Sequence, residues 1–190
     1  MLKPKVKIDI DGVLDDMANV LVQMYNERNG AELRVEDCTR YDFSSYGSEV
    51  ALDILSMLRD PELYERMRPT RNAVKYLWLI FRDFDAKLVT STAPEELRLK
   101  LNWLHRWFGF VADSDIIVTS DKKWIEADYV IDDHVGNLLG DGAYRILIDQ
   151  PWNRSIRDYA FGICRVQDLK DAYEIIKTQE SEVEETYDQI

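Results

Sequence analysis

Short runs of β-branched and apolar residues alternate with amphipathic stretches along most of this 190-residue chain, and this alternation constrains the fold more than any other feature. The stretches Asn72–Phe84 and Glu95–Phe108 repeat apolar residues at the 3.6-residue spacing of helices that pack on a sheet. Strands that alternate with helices predict an α/β fold, with a doubly wound parallel sheet covered by helices on both faces. The predicted strands are Lys5–Ile10, Lys87–Ser91, Asp115–Thr119, Tyr129–Ile131 and Tyr144–Ile148.

One interval interrupts the alternation. Between positions 17 and 70 no strand-like run occurs, whereas Ala18–Arg28 and Val50–Arg59 have helical character. Because this interval directly follows the first strand, we predict a small helical cap at 17–70, inserted into a core made of residues 1–16 and 71–178. Residues 179–190 are acidic and carry few apolar side chains, which predicts a frayed helix end or a disordered tail.

The charge balance limits the partners of such a protein. Lys and Arg number 24 against 36 Asp and Glu, for a net charge of −12. A surface this acidic repels the phosphate backbone of DNA and RNA, so we predict no nucleic-acid polymer as a partner. A small phosphorylated molecule remains acceptable where positive charge is concentrated locally, and metal cations are attracted.

Cysteine usage and hydropathy indicate the compartment. Cys38 and Cys164 are far apart and neither belongs to a C-x-x-C pair, which argues against a disulfide framework and against a zinc site. The N-terminal segment has no signal-peptide-like stretch, and no apolar run is long enough to span a bilayer. We expect a cytoplasmic protein without a membrane partner, and a homodimer is left open.

Polar side chains follow four of the predicted strands. In open parallel sheets, ligands bind beyond the carboxyl ends of the strands, where these residues meet. Carboxylates, hydroxyls and a lysine at neighbouring strand ends are the groups that phosphoryl transfer requires. The four segments are Asp9-Ile10-Asp11-Gly12, Thr90-Ser91-Thr92, Ser120-Asp121-Lys122-Lys123 and Asp132-Asp133-His134.

A phosphate monoester is a dianion, so a carboxylate can attack it only when the charge is screened. Mg2+ provides this screening, and it prefers oxygen ligands from carboxylates, carbonyls and water. We predict that Asp9 and one of the pair Asp132 and Asp133 hold the ion, with the Asp11 carbonyl as a further ligand.

The remaining roles follow from the side-chain chemistry. Asp9 can attack phosphorus and form an aspartyl-phosphate, while Asp11 can protonate the leaving alkoxide and later accept a proton from water. Lys122 supplies positive charge to the phosphoryl oxygens. Thr90 or Ser91 can donate a hydrogen bond to one of these oxygens.

The helix after the second strand carries a separate signal. Thr92-Ala93-Pro94-Glu95 has the spacing of a capping box with proline in the first turn. It predicts that Thr92 caps a helix whose positive end faces the phosphate.

Taken in order, D-x-D-G, the hydroxyl pair, the lysine and D-D resemble the haloacid dehalogenase-like phosphatases. The segments Ile8–Leu14, Val89–Ser91 and Thr119–Asp133 resemble more narrowly the 5'(3')-deoxyribonucleotidases. This resemblance implies a Rossmannoid core, hydrolysis of nucleoside monophosphates as small-molecule substrates with deoxy forms preferred, and Mg2+ as cofactor. It further implies that Asp9 is the nucleophile, Asp11 the acid/base, Thr90 and Lys122 the phosphate ligands, and Asp133 the metal ligand alongside Asp9 and the Asp11 carbonyl.

The cap is where the resemblance bears on substrate binding. The family seats the base on aromatic residues of its cap, and Met17, Tyr41, Phe43 and Tyr64 occupy suitable places here. The alternative is that these side chains only pack the cap against the core.

Other interpretations of the same residues remain open. D-x-D-G also occurs in turns and calcium loops, although the calcium loop's regular acidic spacing is missing. We interpret Asp15 and Asp16 as first-turn residues of the next helix, and His134 either as a neighbour of the acidic pair or as an ordinary loop residue. Rival activities are hydrolysis of a sugar phosphate or phosphoglycolate, a 3'-phosphatase on nucleic-acid ends, and a non-catalytic scaffold.

Overall fold

The computed structural model describes residues 3–139, 143–157 and 162–187, with side chains through residue 182. Its strands are β1 (Lys5–Ile8), β2 (Asp85–Thr90), β3 (Ile116–Val118), β4 (Tyr129–Asp132), β5 (Tyr144–Ile148) and β6 (Ile163–Val166). Its α-helices are α1 (Met17–Asn29), α2 (Ser48–Ser56), α3 (Pro61–Arg66), α4 (Ala73–Asp83), α5 (Pro94–Trp107), α6 (Val135–Leu138) and α7 (Leu169–Tyr187).

All six strands form one parallel sheet in the order β3-β2-β1-β4-β5-β6. The order reverses at β1, which pairs with β2 on one side and β4 on the other, so Ile8 lies between Leu88 and Ile131. This reversal is the position at which doubly wound sheets bind ligands. The predicted α/β class with a doubly wound parallel sheet is confirmed.

The central strand β1 is buried on both faces. Val6 and Ile8 lie in the main hydrophobic core. Lys7 faces the other way and is also buried, and its amine donates hydrogen bonds to the carbonyls of Lys122 (2.9 Å) and Ile125 (3.3 Å). These bonds satisfy a buried ammonium group and hold the loop after β3 against β1.

Four of the five predicted strands have bounds that differ from the observed ones by one or two residues, and a sixth strand was not predicted. The first strand was predicted to extend to Ile10, but it ends at Ile8 because the amides of Val13 and Leu14 donate to the Ile10 carbonyl and begin a turn. Strand β6 was not predicted, because its four residues include the charged Arg165 and give only a short apolar signal.

Helix α5 begins one residue later than its capping signal predicted. The helix N-cap is Ala93, which has no side chain that can cap, and the predicted capping role of Thr92 is wrong. The physical reason is Pro94, because proline holds the preceding residue in an extended conformation, here φ −65° and ψ 147° at Ala93. The Thr92 hydroxyl instead lies 3.1 Å from the Thr90 hydroxyl.

The segment 17–70 is fully described and contains α1, α2 and α3 but no strand of the sheet. Its two ends lie side by side, since Asp16 and Arg68 exchange hydrogen bonds and the Thr70 amide donates to the Leu14 carbonyl (2.9 Å). This pairing fits an insertion that leaves the core and returns at one point. The division of the chain at 16, 70 and 178 stays a prediction.

The C-terminal helix α7 packs on α4, and the Tyr173 hydroxyl donates to Asp83 (2.7 Å). Of the predicted acidic tail, residues 179–187 form the last turns of α7, while 188–190 lie outside the described residues. Near that end Tyr129 donates a hydrogen bond to Glu180 (2.5 Å), which ties the helix to the sheet. Among the described residues, no helix is both long and apolar enough to cross a membrane.

Candidate active site

Three carboxylates converge where β1 and β4 end. The Asp9 amide donates to the Ile131 carbonyl (2.9 Å), which keeps the first residue beyond β1 alongside β4. As a result Asp9, Asp132 and Asp133 present carboxylate oxygens that all lie within 4.8 Å of one another. All three side chains are buried, and Asp9 is only 3% exposed. Buried carboxylates this close to one another require a nearby positive charge to remain ionised.

Lys122 provides part of that charge. It begins a short 3-10 turn after β3, which is capped by the Asp121 side chain accepting from the Lys123 amide (3.1 Å). The Lys122 amine lies 2.6 Å from Asp9 Oδ1 and 3.1 Å from Asp132 Oδ2. The buried ammonium group of Lys122 therefore connects the loop after β3 to the ends of β1 and β4.

The electrostatics of this cluster are unusual for carboxyl groups. Burial and the charge of Asp132 raise the pKa of Asp9 to about 7, against the opposing influence of Lys122. Burial and the charges of Asp132 and Asp9 raise the pKa of Asp133 well above its usual range. Burial alone would lower the pKa of Lys122, but Asp9 and Asp132 outweigh it and raise that pKa above its ordinary value.

The two members of the acidic pair differ in their partners. Asp132 Oδ2 accepts from Lys122, and its Oδ1 accepts from the His134 amide (2.8 Å) and from Asn137 Nδ2 (3.1 Å). Asp133 Oδ2 accepts from Trp152 Nε1 (3.0 Å), whereas its Oδ1 is buried without a partner among the described residues. A buried carboxylate oxygen in this state is costly unless a cation binds it.

Gly12 is required by the geometry of the loop after β1. Its φ of +72° is in the left-handed region, and a Cβ at this position would lie 3.0 Å from Asp133 Cγ and 3.4 Å from the Trp152 ring. Only glycine permits this conformation and this approach without strain. The loop can therefore bring Asp11 close to the acidic cluster.

Thr90 ends β2 and is buried, whereas Ser91 lines a cavity beside Asp11. Both predicted hydroxyl residues thus lie near the carboxylates, in different surroundings. Between Thr90 and Asp11 lies Lys100, whose buried amine pairs with Asp11 Oδ2 and donates to Thr90 Oγ1 (3.3 Å).

Lys100 was missed at the level of sequence. Its position carried a signal, because Lys100 shares the buried face of α5 with Trp103 and Leu104 at helical spacing. A charged side chain on the apolar face of a helix requires a polar partner, and here that partner is Asp11.

A cavity of about 130 Å³ opens beside these groups, between the loop after β1 and the segment 17–70. The four residues that were predicted to contact the base all line this cavity, and so do the carboxylates of Asp11 and Asp133. Phe43 and Tyr64 are buried, and Tyr41 is 48% exposed. The lining includes Asp11, Asp133, Met17, Tyr41, Phe43, Tyr64, Ser91, Glu96 and Trp152.

Asp15 and Asp16 do not lie in the first turn of a helix, so their interpretation as first-turn residues is wrong. Helix α1 begins at Met17, with Asp16 as its N-cap. Asp15 is buried, and its Oδ1 accepts hydrogen bonds from the amides of Gly12 (3.1 Å) and Met17 (3.2 Å). The backbone pairing of Asp16 with Arg68 delays the start of the helix.

His134 contacts both the acidic pair and the segment 17–70. Its amide donates to Asp132, and its ring centroid lies 4.8 Å from that of Tyr41. Of the two interpretations made for it, the structure supports a neighbour of the acidic pair.

The segment after β5 also contacts this site, although no site residue was predicted in it. Gln150 Nε2 donates to the Gly12 carbonyl (2.7 Å), and Asn153 Nδ2 donates to the Asp133 carbonyl (2.8 Å). The signal was its position, since Gln150-Pro151-Trp152-Asn153 follows a strand that pairs with β4.

Comparison with known proteins identifies the family. A family model for the 5' nucleotidase, deoxy (Pyrimidine), cytosolic type C proteins (NT5C) matches residues 3–181. A 5'(3')-deoxyribonucleotidase from Bacillus subtilis is 27% identical over 156 residues, which cover 81% of this chain and 90% of the relative. One from Clostridium acetobutylicum is 27% identical over 178 residues, which cover 90% of this chain and 99% of the relative.

Among solved structures, a HAD hydrolase from Bacillus subtilis bound to magnesium matches with a TM-score of 0.58 and 15% identity. The match covers 92% of this chain and 99% of that one, and at this identity it concerns the fold alone. The family match extends over nearly the whole chain, and the chain therefore belongs to the 5'(3')-deoxyribonucleotidases, a family of phosphoric monoester hydrolases with the HAD fold.

Proposed function

We propose that this enzyme hydrolyses deoxynucleoside monophosphates to nucleoside and phosphate, with Mg2+ as cofactor and Asp9 as nucleophile. The observation that carries the proposal is the lining of a single cavity, which combines Asp11 and Asp133 with the side chains of Tyr41, Phe43 and Tyr64. A phosphate ester bound with its phosphate beside Asp11 and Asp133 would place its organic part against the aromatic side chains.

The donor set fits Mg2+. Three carboxylates within 4.8 Å offer hard oxygen ligands, and the buried Asp133 Oδ1 is without a partner among the described residues. We assign the ion to Asp9, Asp133 and the Asp11 carbonyl, and we assign Asp132 to the positioning of Lys122, because both of its oxygens already accept protein hydrogen bonds. When bound, the ion supplies charge neutralisation between the carboxylates and the phosphate.

The chain's own residues then divide the reaction into two steps. An Asp9 oxygen attacks phosphorus, the bond from phosphorus to the ester oxygen breaks, and Asp11 gives a proton to the departing nucleoside oxygen. Asp11 next takes a proton from a water that attacks the aspartyl-phosphate. The bond from phosphorus to Asp9 breaks, which restores the carboxylate and releases inorganic phosphate.

Lys122, Thr90 and Ser91 are proposed to bind the phosphoryl oxygens. Lys122 is buried beside Asp9, where an ammonium group stabilises negative charge more strongly than it would in water. Ser91 and Lys100 line the cavity, and the Lys100 amine donates to the Thr90 hydroxyl. Both hydroxyls therefore lie on the side of the cavity that Lys100 lines.

A nucleoside is the organic part that the cavity favours. A base can stack on Tyr41 or Phe43, since every base has a π-face and aromatic stacking contributes about 1 to 3 kcal/mol per base. The preference for deoxy forms rests on the 5'(3')-deoxyribonucleotidases that the chain resembles. The net charge of −12 disfavours a nucleic-acid polymer. We also propose a cytoplasmic location, because Cys38 and Cys164 are both free thiols.

A substrate panel tests the proposal. Ribo- and deoxynucleoside monophosphates, phosphorylated at the 5' or 3' position, are compared with sugar phosphates, phosphoglycolate and a 3'-phosphorylated oligonucleotide. We expect the highest kcat/KM for a deoxynucleoside monophosphate, loss of activity in EDTA and recovery on adding Mg2+. A higher kcat/KM for a sugar phosphate or for the oligonucleotide would contradict the substrate assignment.

A further inference from the structure

Trp152 contacts the proposed metal ligand Asp133 and lines the same cavity. It lies in the segment 150–153 after β5, and its Nε1 donates to Asp133 Oδ2 at 3.0 Å. Its side chain also lines the cavity, with its ring centroid 6.3 Å from that of Tyr41 in an edge-on arrangement. No role for this residue follows from the D-x-D-G, hydroxyl, lysine and D-D segments.

The carboxylate of Asp133 is constrained on one oxygen only. Oδ2 faces the Trp152 donor and the Cα side of Gly12, where a Cβ would come within 3.0 Å of Asp133 Cγ. Oδ1 is buried without a partner among the described residues. The hydrogen bond therefore restrains the rotation of the Asp133 carboxylate within its cluster with Asp9 and Asp132, and it leaves Oδ1 available to a metal ion.

The support for Trp152 extends into the fold. The neighbouring Asn153 donates to the carbonyls of Asp133 and Ile148, both at 2.8 Å, and its Oδ1 accepts from Arg165 (2.5 Å). Gln150 donates to the Gly12 carbonyl on the other side. The segment 150–153 thus holds both the backbone of Asp133 and the loop that carries Asp11.

We propose that Trp152 is a positioning residue for the metal site, which acts by orienting the Asp133 carboxylate through its indole N–H. This inference rests on the proposed function in one respect, the assignment of Asp133 as a metal ligand. Groups that orient metal ligands in this way contribute about 10- to 100-fold to metal affinity or activity.

The test compares Trp152→Phe, which removes the donor but keeps an aromatic ring in the cavity, with Trp124→Phe. Trp124 is 81% exposed and serves as the matched control. Mn2+ is the probe, because free Mn2+ can be counted by electron paramagnetic resonance, and Mg2+ competes for the same site. Thermal unfolding in EDTA shows whether each variant is folded.

We expect Trp152→Phe to raise the Kd for Mn2+ about tenfold at an unchanged melting temperature in EDTA. Excess Mg2+ should restore most of its kcat, with little change in the KM for a deoxynucleoside monophosphate. Trp124→Phe should match the wild type in all these measurements.

If Trp152→Phe binds Mn2+ with the same affinity as the wild type, the inference is overturned. A raised KM with unchanged Mn2+ affinity would also overturn it, because that result would make Trp152 a substrate contact alone. If the proposed function is wrong, the wild type binds Mn2+ but hydrolyses no nucleotide. The Mn2+ affinities of the wild type and Trp152→Phe then still decide the role of Trp152.

Discussion

Lys100 and Asp11 form a buried ion pair that joins helix α5 to the loop after β1. The same amine donates to Thr90, so one lysine orients both the proposed acid/base and a proposed phosphate ligand. This pair is the structural reason why Asp11 has a defined orientation although it lies in a loop.

Lys100→Met is expected to lower kcat about a hundredfold, because a misplaced catalytic group loses about this much rate. The apolar replacement keeps the length of the side chain on the buried face of α5. Steady-state kinetics with saturating Mg2+ measures the effect, and circular dichroism verifies the fold. A kcat within threefold of the wild type would show that Asp11 is oriented without Lys100.

Asp9→Asn is expected to abolish turnover while the protein stays folded. The amide is nearly the same size as the carboxylate but cannot act as the nucleophile, so the rate should fall by about 10⁴-fold or more. Phosphate release measured over hours detects the residual activity, and thermal unfolding verifies the fold. A variant that keeps its rate would refute Asp9 as the nucleophile.

The affinity for Mg2+ should depend on pH through its ligands Asp9 and Asp133. The pKa of Asp9 is raised to about 7 and that of Asp133 is raised well above its usual range, so below pH 7 the Asp9 carboxyl group is mostly protonated. A metal ligand must be ionised, so binding below pH 7 displaces a proton and the apparent affinity falls as the pH falls. Titration calorimetry at pH 6 and pH 8 should show weaker binding at pH 6, with proton release. Equal affinity at both pH values would contradict the prediction.

Gly12→Ala should impair metal binding. At a φ of +72° an alanine is strained by about 1 to 3 kcal/mol, and its Cβ would press on the Asp133 carboxylate. We expect a lower melting temperature and a Kd for Mn2+ raised at least tenfold. Gly30→Ala is the matched control, because Gly30 has a φ of +62° but no atom lies within 4 Å of a Cβ there. Equal Mn2+ affinities of the two variants would show that the contact with Asp133 is unimportant.

Tyr41→Ala should weaken nucleotide binding without changing the chemistry. The ring is 48% exposed and lines the cavity, so its removal should raise the KM for a deoxynucleoside monophosphate about tenfold, as expected for a lost stacking contact. Hydrolysis of p-nitrophenyl phosphate should change much less. Tyr41→Phe keeps the ring and should retain the wild-type KM. A similar loss with both substrates would place Tyr41 in the phosphate site instead.

The sequence was most informative where short-range patterns and topology agree. Alternating strands and helices predicted the sheet, and the rule that ligands bind at strand ends predicted that Asp9, Lys122 and Asp133 lie together. Lys100 and Trp152 escaped because their roles depend on long-range contacts. Each bonds to a residue far along the chain, and neither belongs to a local motif.

Local signals also failed where a neighbouring residue competed with them. Thr92 had the spacing of a capping residue, yet Pro94 gave the N-cap position to Ala93. Asp15 and Asp16 looked like first-turn acids, yet the pairing of Asp16 with Arg68 moved the helix start to Met17. In both cases the residue type was compatible with the predicted role and the backbone path was not.

The hydrogen bonds that join Asp16 to Arg68 and Leu14 to Thr70 close the segment 17–70 at its base. Because the chain leaves the core and returns to it at neighbouring points, a segment of another length could span the same gap. We therefore expect residues 17–70 to be exchangeable as one unit, and transplanting the corresponding segment from a relative would test whether this segment sets the nucleotide preference.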